Sequence, residues 1–235
     1  MKFHGDIWGE MPADFPTQKL EAAYRQRINI IGPQSRLQKL IGMGLKGVAY
    51  RFRAVDDYSE AFKVSLQKHG IAPKVDVDYQ HERMLFGFFM SGFSCIESFF
   101  FSVHALGAYY SKTDFGISND DLQGVNPKTV TEKYEKLWPH YGLTISMRSL
   151  IGSPEYGRWK KIRNVITHRA VPPSLISVNV GEKSVEVTWQ VEEAGTQEAN
   201  EPINELTMDE KRFWLSTQIE RLVDGFSAFY PASTK

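Results

Sequence analysis

The chain has 235 residues, 42% of them hydrophobic and 13% aromatic, which suffices for a sizeable core and excludes a disordered chain. Lys plus Arg and Asp plus Glu are equal at 28 each, so no general field draws the whole molecule to nucleic acid or to an anionic membrane. The single cysteine, Cys95, excludes a disulfide framework and a cysteine-rich metal site, and a reducing cytoplasm is the expected location.

Residues 1–16, with Gly5, Gly9, Pro12 and Pro16, read as an irregular arm, and the start Met1-Lys2-Phe3-His4 lacks the basic-then-apolar order of a secretory signal. Thr17 to Ile31 reads as a first helix stopped by Gly32-Pro33. A longer helix is predicted from Ser35 to Lys68, where Leu37, Leu40, Ile41, Leu45, Val48, Phe52, Val55, Phe62 and Leu66 recur mostly at helical spacing. Gly42, Gly44 and Gly47 weaken it by about 1 kcal/mol each relative to alanine, so they point to close approach of another backbone or to a kink.

Tyr79 to Tyr110 is the most hydrophobic stretch, and from Met84 onward Glu97 is its only formal charge. Its length would span a bilayer, but Glu97, His104 and four serines would be costly there, so no membrane is expected and the helix is assigned to a bundle core. Ser94, Ser98 and Ser102 recur every fourth residue as a small-residue stripe open to a second helix. Glu97 in such a setting needs a partner. Arg163 is the expected one, which makes Glu97 a candidate supporting residue; another arginine or a place at the bundle surface is the alternative.

Lys112 to Val125 reads as a loop, and Asn126-Pro127 caps a short helix to about Trp138, with His140 and Tyr141 in the following turn. Ser153-Pro154 then opens a helix that Pro172-Pro173 cannot continue. At about 100° per residue, Trp159, Ile162, Val165 and Ile166 share one arc, while Lys160, Lys161, Arg163, Asn164, Thr167 and His168 share the opposite one. Arg163 and His168 lie about 140° apart around the axis with Asn164 between them, so a guanidinium, an amide and an imidazole border one polar face.

Behind this helix, Ile176, Val178 and Val180 alternate with polar residues, Gly181-Glu182-Lys183 turns the chain, and Val185, Val187, Trp189 and Val191 alternate again: a β-hairpin. Residues 158–181 carry five Lys or Arg and no carboxylate, whereas 182–210 carry nine carboxylates and one lysine. This flank reads as a solvated acidic surface beside a basic one. An acidic connection runs over 192–206, and Thr207 with Glu210 forms a capping box for a last helix striped by Leu215, Ile219, Leu222, Phe226 and Phe229. The expected fold is an all-α helical bundle with a small β-hairpin inserted before the C-terminal helix. It is expected as one domain, 1–235, with an arm and first helix at 1–34, a helical core at 35–170, the hairpin at 175–191 and the final helix at 207–230.

An arginine, a polar residue and, a few positions on, a histidine near the end of a helix in a small all-helical domain resembles the HEPN superfamily, the higher eukaryotes and prokaryotes nucleotide-binding domain. The matching residues are Arg163, Asn164 and His168, and the likeness covers mainly residues 35–170 and the last helix in outline. It leaves the N-terminal arm and the hairpin unexplained. The resemblance implies a metal-independent endoribonuclease without a cofactor, in which the ribose 2′-OH attacks phosphorus to leave a 2′,3′-cyclic phosphate and a 5′-OH. It also implies a homodimer whose composite site pairs two motif helices around RNA, and, at family level, a toxin or phage-defence role with an antitoxin or regulatory partner. In that reading His168 handles a proton, Arg163 holds phosphate oxygens, Asn164 orients an oxygen or the imidazole, and Lys160, Lys161 and Arg169 track the RNA backbone. The alternative is a non-catalytic module of the same type that holds a nucleotide, RNA or a protein.

Overall fold

The computed structural model describes residues 10–32, 35–70, 73–168, 174–179, 184–191 and 199–231; of these, the side chains at 168, 174–176, 178–179, 184–186, 191 and 199–200 lie outside the description. The elements are helices α1 (Thr17–Ile31), α2 (Arg36–His69), α3 (Val75–Tyr110), α4 (Asn119–Gln123), α5 (Pro127–Leu137), α6 (Gly142–Ile151) and α7 (Pro154–His168), strands β1 (Ser174–Asn179), β2 (Ser184–Val191) and β3 (Ala199–Pro202), and helix α8 (Glu205–Ser227). The protein is thus a helical fold with an antiparallel hairpin before the final helix. Its contacts divide the chain into two compact units, one from Met1–Arg53, Ser94–Ser153 and Leu215–Lys235, the other from Ala54–Phe93 and Pro154–Trp214. Helices α2, α3 and α8 each give one part to each unit.

In the first unit the core is built by Leu45, Val48 and Phe52 of α2, Phe99, Phe100, Val103 and Leu106 of α3, and Ile219, Leu222 and Phe226 of α8, all buried. The glycines of α2 do not break it. A Cβ placed on Gly44 would fall on Ser102 Oγ and within 2.7 Å of the Ser98 carbonyl oxygen, so α3 passes against α2 where α2 has no room for a side chain. Both halves of that crossing, the glycines and the serine stripe, are readable in the sequence. Ser102 Oγ then donates to the Ile41 carbonyl at 3.0 Å, and the buried hydroxyl is satisfied across the two helices.

An aromatic cluster closes the far end of this unit: Trp138 stacks on Phe115 at 5.9 Å and meets Tyr134 and Phe229 edge-on at 4.9 and 5.2 Å. Arg27 of α1 is buried among such rings, under Tyr230 at 4.4 Å, and donates to the last carbonyls of α8 at Phe226 and Ser227. A cation there satisfies orphan carbonyls and favours the negative end of the helix dipole, although burial pushes its own pKa down.

The second unit packs Val55 and Phe62 of α2, Leu85, Phe88, Phe89 and Phe93 of α3, Trp189 of β2 and Met208 of α8 into its core. Helix α3 is long and apolar enough to cross a membrane by length and composition, and 61% of its most apolar window is buried within the protein. The sheet runs in the order β1-β2-β3, all antiparallel, with Ile176 opposite Val187 and Trp189 opposite Glu201. Strand β3 is an addition to the expected hairpin: its residues fall in the acidic connection, show no apolar alternation, and take their register from β2. Pro202 is tolerated because β3 is an edge.

Local capping explains the other departures. Asn126 accepts from the Thr129 amide at 3.1 Å and starts α5 as expected. The region read as a loop contains α4, a single turn held by a Ser118–Asp121 capping box. Helix α8 starts earlier than read, because Asn204 rather than Thr207 is its cap: the Asn204 Oδ1 accepts the Thr207 amide at 2.8 Å. Helix α6 follows the His140 turn and buries Leu143, Met147 and Leu150, while His140 is exposed.

Two outcomes follow. Gly44→Ala overpacks the crossing and is expected to lower the unfolding free energy by about 1–3 kcal/mol. Gly47→Ala meets the flexible end of Arg51 and, less closely, Ser98 at 3.0–3.2 Å, and gains about 1 kcal/mol of helix propensity, so its loss in urea melts is expected to be smaller than that of Gly44→Ala. Second, His81 and His104 are buried and held below their ordinary 6.5, burial being the main cause for both. For His104 the Gly116 hydrogen bond partly opposes that, and for His81 Asp78 does. A depressed folded value means that the unfolded chain binds these protons first, so stability is expected to fall as pH drops below about 6.5 and to be insensitive to them above it. Glu82, raised by burial and then Asp78, acts in the opposite sense at lower pH. Urea midpoints across this range, with His104→Gln showing a shallower fall, check the sign.

Candidate functional site

Helix α7 begins with Pro154 at its first position, where a missing amide hydrogen costs nothing. The apolar arc behaves as its spacing predicts: Trp159 is 0% exposed, Ile162 and Val165 are buried, and Ile166 is half-buried. The indole of Trp159 stacks on Phe88 at 5.4 Å and Trp214 at 6.3 Å and meets Phe89 edge-on at 5.2 Å. Its six-membered ring occupies the space a side chain at position 92 would take, which is why α3 has Gly92 there. Tyr156 adds a stacked contact with Phe93 at 5.7 Å.

With that face fixed, Lys160 and Thr167 are exposed, and Lys161, Arg163 and Asn164 are half-buried along the polar side. Arg163 Nη1 donates to Asn164 Oδ1 at 3.2 Å, and the guanidinium lies over the Phe93 ring, 5.2 Å from its centroid. The amide therefore orients the arginine. Thr167 Oγ1 donates back to the Arg163 carbonyl at 2.6 Å. His168 closes the helix; its side chain and all of Arg169 lie outside the described residues.

The N-terminal turn of α7 is pinned by charge. Lys211 of α8, 4% exposed, reaches Glu155 of α7 at 2.8 Å and Glu201 of β3 at 2.6 Å, and Glu155 also pairs with Arg158 at 3.4 Å. Glu155 sits at the positive end of the helix dipole, a further favourable term. One ammonium thus links strand, motif helix and last helix.

Of the remaining candidates, Glu97 belongs to the first unit, where it borders an open cleft of about 360 Å³ together with Met43, Arg51, Ser94, Ser98 and Phe101. His104 donates through Nε2 to the Gly116 carbonyl at 2.7 Å and meets Phe115 edge-on, a core histidine with its tautomer set by that carbonyl. His81, which no motif marks, sits 2.9 Å from Ser65 Oγ beside a hollow of about 20 Å³, room for a single water. Cys95 is fully buried, its thiol pKa pushed far up by burial. Among the described residues no group of three or more His, Cys, Asp or Glu side chains is placed to hold a metal ion.

Removing Lys211 strands the buried Glu201 and leaves Glu155 only Arg158, so Lys211→Met is expected to cost about 3–5 kcal/mol in chemical denaturation, partly recovered by adding Glu201→Gln. Lys19→Met, which breaks ion pairs to Glu220 and Asp224 on half-exposed side chains, is expected to leave the denaturation midpoint close to that of the wild type. No family model matches this chain, and no curated protein or solved structure matches it.

Proposed function

We propose that the chain is a metal-independent endoribonuclease of the HEPN type, acting through the polar face of α7. The observation that carries the reading is the state of Arg163: half-buried on an aromatic ring, tied to Asn164, and at the border of the polar arc of α7, about 40° round the axis from the buried indole. A guanidinium held in this way has lost much of its rotamer freedom before it meets a ligand, and its planar fork suits two phosphate oxygens. Lys160 and Lys161 extend the positive face along the helix for the flanking backbone.

The reaction needs a proton removed from the 2′-OH, a proton delivered to the departing 5′-oxygen, and positive charge on the crowded phosphorane. Arg163 supplies the charge and His168 a proton relay. One imidazole cannot serve both ends of an in-line displacement, so the working enzyme is a homodimer that presents two copies of Arg163 and His168 to one phosphate. The P–O5′ bond breaks as the P–O2′ bond forms, leaving a 2′,3′-cyclic phosphate and a 5′-OH. A toxin or defence role, restrained by a partner, accords with such an activity.

Incubation of mixed-sequence RNA with the protein in EDTA is the test. The expected result is cleavage that falls about 10²–10⁴-fold in Arg163→Ala and in His168→Ala. Equal cleavage by both variants would overturn the assignment of residues, and retained RNA binding with no cleavage would favour the non-catalytic module.

A further inference from the structure

Within the second unit, α3 turns an arc outward beside α7 that is more aromatic than polar. Beyond Phe93, whose ring lies under the Arg163 guanidinium, this arc carries Met90, Phe86, Arg83 and Tyr79, all within about 40° of Met90 around the axis. Tyr79 is 59% exposed and Phe86 46%; Arg83 is exposed and Met90 half-buried. The arc is continuous with the polar side of α7, because Thr167 Oγ1 lies 3.2 Å from Met90 Sδ. Arg163 meets Phe93 and Thr167 meets Met90, so the two helices run in opposite directions. Phe86, one turn beyond Met90, is therefore level with the end of α7 at His168. Between Tyr79 and Met90 the arc holds no carboxylate: Glu82 stands about 80° round the axis from Met90, Asp78 further, and both line the hollow beside His81. No ion pair engages Arg83 among the described residues.

We infer that this arc of α3 is a stacking subsite for unpaired nucleobases on one side of the phosphate held by Arg163, an inference that rests on the RNA reading of α7. Every base has a π-face, so a ring left half in water takes one with little regard to its identity. Phe86 takes the base nearer the phosphate and Tyr79 a later one. Arg83 stands about 4.5 Å from Phe86 and about 6 Å from Tyr79 along the axis, where its guanidinium meets the backbone phosphate between those bases. Met90, unbranched and polarizable, bridges from Phe86 to Thr167. A base held in a duplex has its faces covered by its neighbours, so the subsite selects single strands and loops. A protein surface seated on the same arc would have to desolvate Arg83, a cost that a phosphate offsets.

Fluorescence anisotropy with a mixed-sequence 2′-O-methyl RNA strand, which has no 2′-OH to attack, tests the inference on the full chain. The wild type is expected to bind this strand at least about fivefold more tightly than a duplex of the same length or an abasic strand with the same phosphates. Phe86→Leu and Tyr79→Leu should each weaken binding of the strand at least about fivefold and leave the abasic strand unaffected, while Phe86→Trp restores the wild-type affinity. Arg83→Gln should reduce the slope of log affinity against log salt by about 0.7. The duplex and abasic comparisons use unaltered protein, so a variant that fails to fold does not blunt the test. Unchanged binding of the strand by both leucine variants, or equal wild-type affinity for the abasic strand, would overturn the inference. So would a dimer that falls apart in Phe86→Leu with strand affinity per copy unchanged, which would make the arc an interface between copies. Phe86-dependent binding by a wild type that cleaves no RNA would sink the nuclease reading alone, and cleavage insensitive to Phe86 and Tyr79 would sink this one alone.

Discussion

The seating of Trp159 over Gly92 is the constraint on which the second unit's chemistry depends. A fully buried indole wedged between Phe88, Phe89 and Trp214 fixes the rotation of α7 about its own axis. Turning the helix by one residue, about 100°, would push Lys160 or Arg163 into that aromatic packing, where an unpaired cation costs several kcal/mol. The polar face is thus decided by what the apolar face can fit. In the first unit the missing side chain at Gly44 does comparable work by letting α2 meet the serine face of α3. In both places a residue that weakens its own helix is offset by the contact its bareness allows.

Periodicity carried most of the fold because the long helices each bury a regular stripe. The 100° spacing in α7 separated Trp159, Ile162 and Val165 from Lys160 and Thr167 correctly, and Asn126-Pro127 marked the start of α5 through a cap that is entirely local. What stayed hidden depends on partners distant in sequence or on competition between near-equivalent signals. Strand β3 has no pattern of its own and is defined by the β2 backbone. Asn204 and Thr207 both satisfy the rules for a cap, and the offset of three positions between them shifts the start of α8. Helix α4 is too short to show a period.

The two faces of α7 were legible to the same extent. Arg163 and Asn164 are consecutive in the chain, so their place on the polar arc could be read from the sequence, whereas the ring of Phe93 beneath the guanidinium comes from another helix. The Lys211 pin joins residues 56 and 10 positions away in sequence, Glu155 and Glu201, and no local motif announces it. Nor does any motif announce that Arg51 and Glu97, on different helices, border one cleft. Polar chemistry in this protein is assembled from single residues on different helices, with α7 as the exception where several lie on one turn.

That exception is what joins architecture to the proposed activity: a helix locked by its apolar side holds a pre-oriented guanidinium on its polar side. The most direct measurement is side-chain NMR of the Arg163 guanidinium and the Asn164 amide during titration with a 2′-deoxy-substituted, uncleavable RNA strand. The account predicts saturable shifts at these two groups, accompanied by Lys160 and by the His168 imidazole. Shifts confined to surfaces away from α7, with Arg163 and Asn164 unmoved at saturation, would contradict it.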